Sequence, residues 1–239
     1  MSRTHAGLLH LAITLVILLI VGWVVVFRWF PSFFVTTDGG WRGLQILVGI
    51  QLVVGPMLTL LLFKPGKPGL KFDLALVGIL QASTLVGGLY IIHSERPLFL
   101  VYYEDQFYSL SADTFTEYGV SVPSYRSYGS VSPAQVYVRL PDSPIEEANI
   151  RRILYHDKVP LWVYRPLYQP LSEYMEVVSR QGASENVIRQ QDTHGELDNW
   201  LEPKTGVFDD YAFFPLHSRF ANVYLGIRTS DGALIDILD

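Results

Sequence analysis

The chain has 239 residues, a formal net charge of −5, 49% hydrophobic residues and a mean hydropathy of +0.24. It has no cysteine, which removes disulfides, thiol nucleophiles and cysteine metal sites together. Charge is unevenly placed: residues 1–93 carry six basic and two acidic side chains (+4), residues 94–239 twelve and twenty-one (−9), and an acidic half without a Lys/Arg cluster argues against nucleic acid binding.

The first apolar run, Leu8 to Phe27, follows a short N-terminus with Arg3 and His5. A secretory signal has an apolar region of about 7 to 15 residues and a small-residue cleavage site. This run is longer and ends Val-Val-Val-Phe-Arg-Trp-Phe-Pro, so we read it as a retained transmembrane helix. Arg28 to Gly43 is rich in aromatics (Trp29, Phe30, Phe33, Phe34, Trp41) and reads as an interfacial belt. Leu44 to Phe63 has no formal charge and as a helix is about 30 Å long, the thickness of a bilayer's hydrocarbon core. A turn from Lys64 to Lys71, containing Pro65, Gly66 and Lys67, leads to a third span at about 74–92. Asp73, just before that span, reads either as a helix cap or as an intramembrane functional acid, and its place beside Lys71 favours the cap. Lys64, Lys67 and Lys71 put this turn in the cytoplasm, and with it the N-terminus. The soluble half then lies outside the cytoplasm, in the periplasm of a Gram-negative cell.

The expected domains are therefore 1–93, membrane, and 94–239, a small α+β unit with an antiparallel sheet. In the second, 98–103 and 106–110 read as a strand pair, 111–118 as a short helix, 119–133 as loop and 135–140 as a strand. Ser143-Pro144-Ile145-Glu146 is a capping box with Pro at the first helical position, which predicts a helix to about His156. A strand over 159–163, a helix over 171–181 stopped by Gly182, and helical turns over 184–190 and 195–201 follow. The runs 221–228 and 233–238, joined through Asp231-Gly232, predict a hairpin.

None of the six histidines (5, 10, 93, 156, 194, 217) falls in a metal-binding pattern, and no nucleophile elbow, phosphate loop or dinucleotide fingerprint is present. Asp209-Asp210 is a poor acid/base pair because adjacent residues point apart. No enzymatic chemistry, cofactor or metal is expected. The polar content of the spans carries more information. Gln51, Gly55 and Thr59 recur at i, i+4 and i+8, beside Pro56, and Gln81, Thr84 and Gly88 at i, i+3 and i+7. One reading is that these stripes pack the three spans together; the other is that part of the surface awaits a partner's transmembrane helix.

Gly55-Pro56-Met57-Leu58-Thr59-Leu60, Phe63-Lys64-Pro65-Gly66-Lys67 and Lys71-Phe72-Asp73 resemble the signature region of the type IV pilin accessory proteins of the TfpX/TfpZ (FimB-like) kind. Arg96-Pro97 with the LFLVYYEDQF run, Phe214-Pro215-Leu216 with Arg219-Phe220, and the Asp231-Gly232 hairpin follow in the same order. Gln51 stands where that pattern has an acid. The resemblance implies a bacterial inner-membrane accessory factor that binds the major pilin, by its membrane helix and head, and modulates its stability or assembly. Gln51, Gly55, Pro56, Thr59, Gln81 and Thr84 are then the expected partner-binding residues, the lipid bilayer the surroundings, and pilus assembly platform components further partners. A membrane-anchored periplasmic ligand sensor is the alternative.

Overall fold

The computed structural model describes residues 2–128, 132–192, 195–204 and 207–238. The chain divides into two compact units, Met1–Arg96 and Pro97–Asp239. His194 and residues 129–131 of the expected loop lie outside the described residues.

The first unit is helical. α1 (Arg3–Val24) continues through a π-helical turn, Val25–Trp29, into a connector holding α2 (Phe34–Thr37). α3 (Gly40–Leu62) and α4 (Leu70–Ser94) follow. Three stretches, Arg3–Trp29, Gly40–Leu62 and Leu70–Ser94, are long and apolar enough to cross a membrane. α3 is central, packing against both α1 and α4. The approach is close because small residues stand at the crossings: a Cβ on Gly7 would run into Leu60, and one on Gly55 into the Gln81 carboxamide.

Two details of this unit differ from expectation. Phe30, Phe33 and Phe34 are buried within the protein, Trp29 stacks edge-on against His93, and of the five aromatics only Trp41 is largely exposed, so the connector is a packed plug more than a headgroup belt. Asp73 is not the cap of the third span. The helix starts three residues earlier, after Gly69 at φ 82°, and Asp73 sits in its first turn, ion-paired with Lys67 across the Pro68-Gly69 turn.

The second unit is built on a seven-stranded sheet of order β4-β3-β1-β2-β5-β6-β7. Its strands are β1 (Pro97–Tyr103), β2 (Gln106–Ser111), β3 (Ala134–Val138), β4 (Tyr168–Pro170), β5 (Tyr211–His217), β6 (Asn222–Arg228) and β7 (Leu234–Leu238). Most pairings are antiparallel, including the Asp231-Gly232 hairpin between β6 and β7, but β1–β3 and β2–β5 are parallel, so the sheet is mixed. Every residue of β1 is buried, which accounts for a strand that reads PLFLVYY without alternation. On one face Phe99 meets Phe115, Tyr128 and Tyr168 at 5.6 to 5.8 Å between ring centres, among Val101, Val136, Val138 and Val163. A further cluster packs Ile188, Leu197 and Trp200 on Tyr211, Phe213 and Leu238.

Helices surround the sheet. α5 (Ala112–Glu117) carries a full capping box between Ser111 and Thr114. α6 (Pro144–Asp157) starts at Pro144 with the Ser143 hydroxyl accepting from the Glu146 amide, and it ends at Lys158 in a left-handed conformation, φ 55°. α7 (Met175–Val178), α8 (Glu185–Gln191) and α9 (Glu196–Leu201) are short.

Two expectations are corrected here, and one strand is new. Residues 159–163 form no strand: Lys158 closes α6, Pro160 follows with no amide to offer a ladder, and Leu161–Val163 is a 3-10 turn that buries Val163. The expected helix over 171–181 breaks at Tyr174, whose ring leaves the helical path to stack on Tyr137 at 4.3 Å, leaving a 3-10 turn and α7. β5, over a stretch for which no element is expected above, carries Pro215, a residue that strand interiors mostly exclude. It is tolerated because β2 pairs only with Leu216 and His217 on that side, beyond the proline.

Buried phenols set the alkaline limit of this unit. Burial, and then the hydrogen bond that Tyr103 donates to Glu104, pushes the Tyr103 phenol up to about 12 from 10.0. Tyr102 and Tyr168 are raised further, mainly by burial. A raised phenol keeps its proton when folded while the unfolded chain gives it up, so stability is intact below pH 10 and is lost as the pH rises to about 12. Urea midpoints of the full chain should fall across that window, and Tyr103→Phe should flatten part of the fall; a midpoint constant across it would contradict the assignment.

Candidate functional site

A polar cluster runs through the middle of the three long helices. It starts from Gln81 on α4, whose Nε2 donates to Thr14 Oγ1 of α1 at 3.0 Å. Its Oε1 is thereby the acceptor, and it lies 2.5 Å from His10 Nε2. His10 therefore carries its proton on Nε2, and Nδ1, 2.6 Å from Thr59 Oγ1 of α3, accepts from that hydroxyl. One imidazole thus joins α3 to α4 from its place on α1.

Gln51 of α3 forms the second half. Its Nε2 donates to Thr84 Oγ1 at 3.0 Å and to the Gln81 main-chain carbonyl at 3.4 Å, and the Thr84 hydroxyl donates to the same carbonyl at 3.0 Å. Gln51 and Thr59 are almost wholly buried, at 2% and 4% exposure, and Thr14 at 3%. The cluster follows from the sequence by helical spacing. Gln51, Gly55 and Thr59 share one stripe of α3, and Gly55 lets the Gln81 side chain reach across it. Pro56, inside α3, removes an amide from that same turn.

All six expected partner-binding residues are thus placed around one another: Gln51, Thr59, Gln81 and Thr84 as hydrogen-bonding members, Gly55 and Pro56 as the buried wall behind them. Pro65, Gly66, Lys67 and Asp73 belong to the turn and ion pair at the end of the hairpin. His10 and Thr14 were missed by sequence reasoning. Their signal was present as two polar residues at i, i+4 inside an apolar run, a spacing that sets both on one helical face.

Between α1 and α4 the cluster is reached by a groove of about 180 Å³, lined by His10, Thr14, Gln51 and Gln81 and walled by apolar side chains. In hydrocarbon, such amides and hydroxyls need partners, because nothing else supplies hydrogen bonds. The arrangement can tie helices together and offer polar contact to a group entering the groove. Its lining carries no carboxylate.

The chain is 26% identical over 125 residues to the fimbrial assembly protein of serogroup I of Dichelobacter nodosus, and 27% identical over 125 residues to that of serogroup E1. It is 28% identical over 106 residues to the fimbrial assembly protein of serogroups C1 and C2 of the same organism. The first two matches take in 50% of this chain and 48% of each relative, so they span about half the length of those curated relatives; the third takes in 43% of this chain and 80% of the relative. No family model and no solved structure matches the chain. The class of protein this likeness points to is the fimbrial assembly protein, at a weak level of homology consistent with a type IV pilus accessory family.

Interhelical hydrogen bonds in membranes average about 0.6 kcal/mol, with a maximum near 1.7. A double-mutant cycle of His10→Ala and Gln81→Leu, read by unfolding in detergent, should give a coupling of about 0.5 to 1.7 kcal/mol. Additive effects would show that the His10–Gln81 bond does not form.

Proposed function

We propose that this protein is an inner-membrane accessory factor of type IV pilus biogenesis, which binds the major pilin and modulates its stability or assembly. The likeness to the Dichelobacter nodosus fimbrial assembly proteins supports a role in pilus biogenesis. The observation that carries the finer reading is the polar cluster opening into the α1–α4 groove, since a pilin held in the bilayer before assembly presents a long apolar helix to its surroundings. Gln51 and Gln81 line the contact, with Gly55, Pro56, Thr59 and Thr84 supporting them from behind. The role is one of holding and releasing, without chemistry.

The three lysines of the 64–71 turn support a cytoplasmic hairpin end, which leaves Pro97–Asp239 on the periplasmic side, where it meets the pilin head. Components of the pilus assembly platform are further partners on this reading.

A detergent pull-down of the tagged full chain from its native membrane, read by mass spectrometry, tests this. The wild type should recover the major pilin, and Gln51→Leu/Thr59→Leu should lose it while still migrating as a folded species in size exclusion. Absence of pilin from both would overturn the proposal.

A further inference from the structure

The Gln51 carboxamide is oriented by its neighbours. The Gln81 main-chain oxygen can only accept, and Thr84 already donates to that oxygen, so Nε2 of Gln51 faces both. Its Oε1 is left without a donor among the described residues, on a side chain 2% exposed that lines the groove. An acceptor left without a donor in hydrocarbon is destabilising, because the surrounding lipid tails supply no hydrogen bond.

The groove around it is shaped for a side chain on a helix. Ile13, Ile17 and Leu18 of α1 form one wall, and Gly78, Ala82 and Leu85 of α4 the other. A Cβ on Gly78 would meet nothing within 4 Å, so the small-residue pair Gly78/Ala82, one helical turn apart, leaves a shallow seat open to the bilayer. About 180 Å³ is too small for a typical ligand of several hundred Å³, and an acyl chain has no donor to give.

We propose that this groove seats one membrane-spanning helix of another chain, which donates a hydrogen bond from a hydroxyl, carboxamide or protonated carboxyl to Gln51 Oε1. A second copy is a poorer fit, because most polar side chains of its spans, His10, Thr14, Thr59, Gln81 and Thr84, are already engaged with one another. The inference deepens the pilin reading and rests on it only for the partner's identity.

Photocrosslinking in native membranes tests it with the full chain. A photoreactive residue at Ile17, on the groove wall, is compared with one at Leu19, which is 74% exposed. The Ile17 adduct should be several-fold more abundant and should map to an apolar span of a different polypeptide. Replacing the one donor side chain of that span with Leu, or Gln51→Leu in this chain, should cut the yield several-fold. Gly78→Phe fills the seat without touching the cluster and should do the same in a protein that still folds. Equal yields at 17 and 19, adducts only with lipid, or adducts only with this chain itself would overturn the inference. If the captured span belongs to a protein other than pilin, the groove stands and the pilin reading falls. If pilin is captured equally from both positions, the reverse holds.

Discussion

A hydrocarbon solvent offers no hydrogen bonds, and the helical unit is arranged around that constraint. His10, Thr14, Gln51, Thr59, Gln81 and Thr84 would each be a liability on an isolated span; together they satisfy one another across three helices. Apolar surface alone cannot choose among ways of packing helices in lipid, since lipid tails are as apolar as Leu. Directional bonds can. The register in which α3 sits between α1 and α4 is the one that brings Thr59 to His10 and Gln51 to Thr84, with Gly55 giving Gln81 room to cross. The proposed function enters at the place where the satisfaction is incomplete.

The second unit solves a different problem with different means. Its organising strand is β1, buried along its whole length. A strand covered on both faces needs neighbours on both edges, and β1 has them in β2, antiparallel through the Glu104-Asp105 turn, and β3, parallel after a crossover through α5. The aromatic residues do much of the packing. Phe99, Phe115 and Tyr168 fill one face, and Tyr102, Tyr137 and Phe107 stack along the other, with Tyr174 pulled out of a helix to extend the stack.

Features set by neighbours in sequence were legible; those set by distant partners were not. The three apolar helices, the Ser143 cap of α6 and the Asp231-Gly232 hairpin each depend on a few adjacent residues. The parallel pairs β1–β3 and β2–β5 depend on contacts across long loops, so an antiparallel sheet was only mostly right. The π-turn at Val25–Trp29, the broken helix at Tyr174 and the strand containing Pro215 are all cases where tertiary packing overrides a local preference. Within the polar cluster, the stripes on α3 and α4 could be read from spacing. His10 could not be given a role, since its partners lie 49 and 71 residues away.

The central claim, that one half-buried imidazole joins three helices, is open to a single spectroscopic measurement. Nitrogen NMR of the full chain in a lipid nanodisc, labelled at histidine and assigned with His10→Gln, should show His10 as one fixed tautomer, protonated at Nε2 and accepting at Nδ1, in slow exchange with water. A His10 signal averaged between tautomers and exchanging freely with solvent would contradict the network and the fold built upon it.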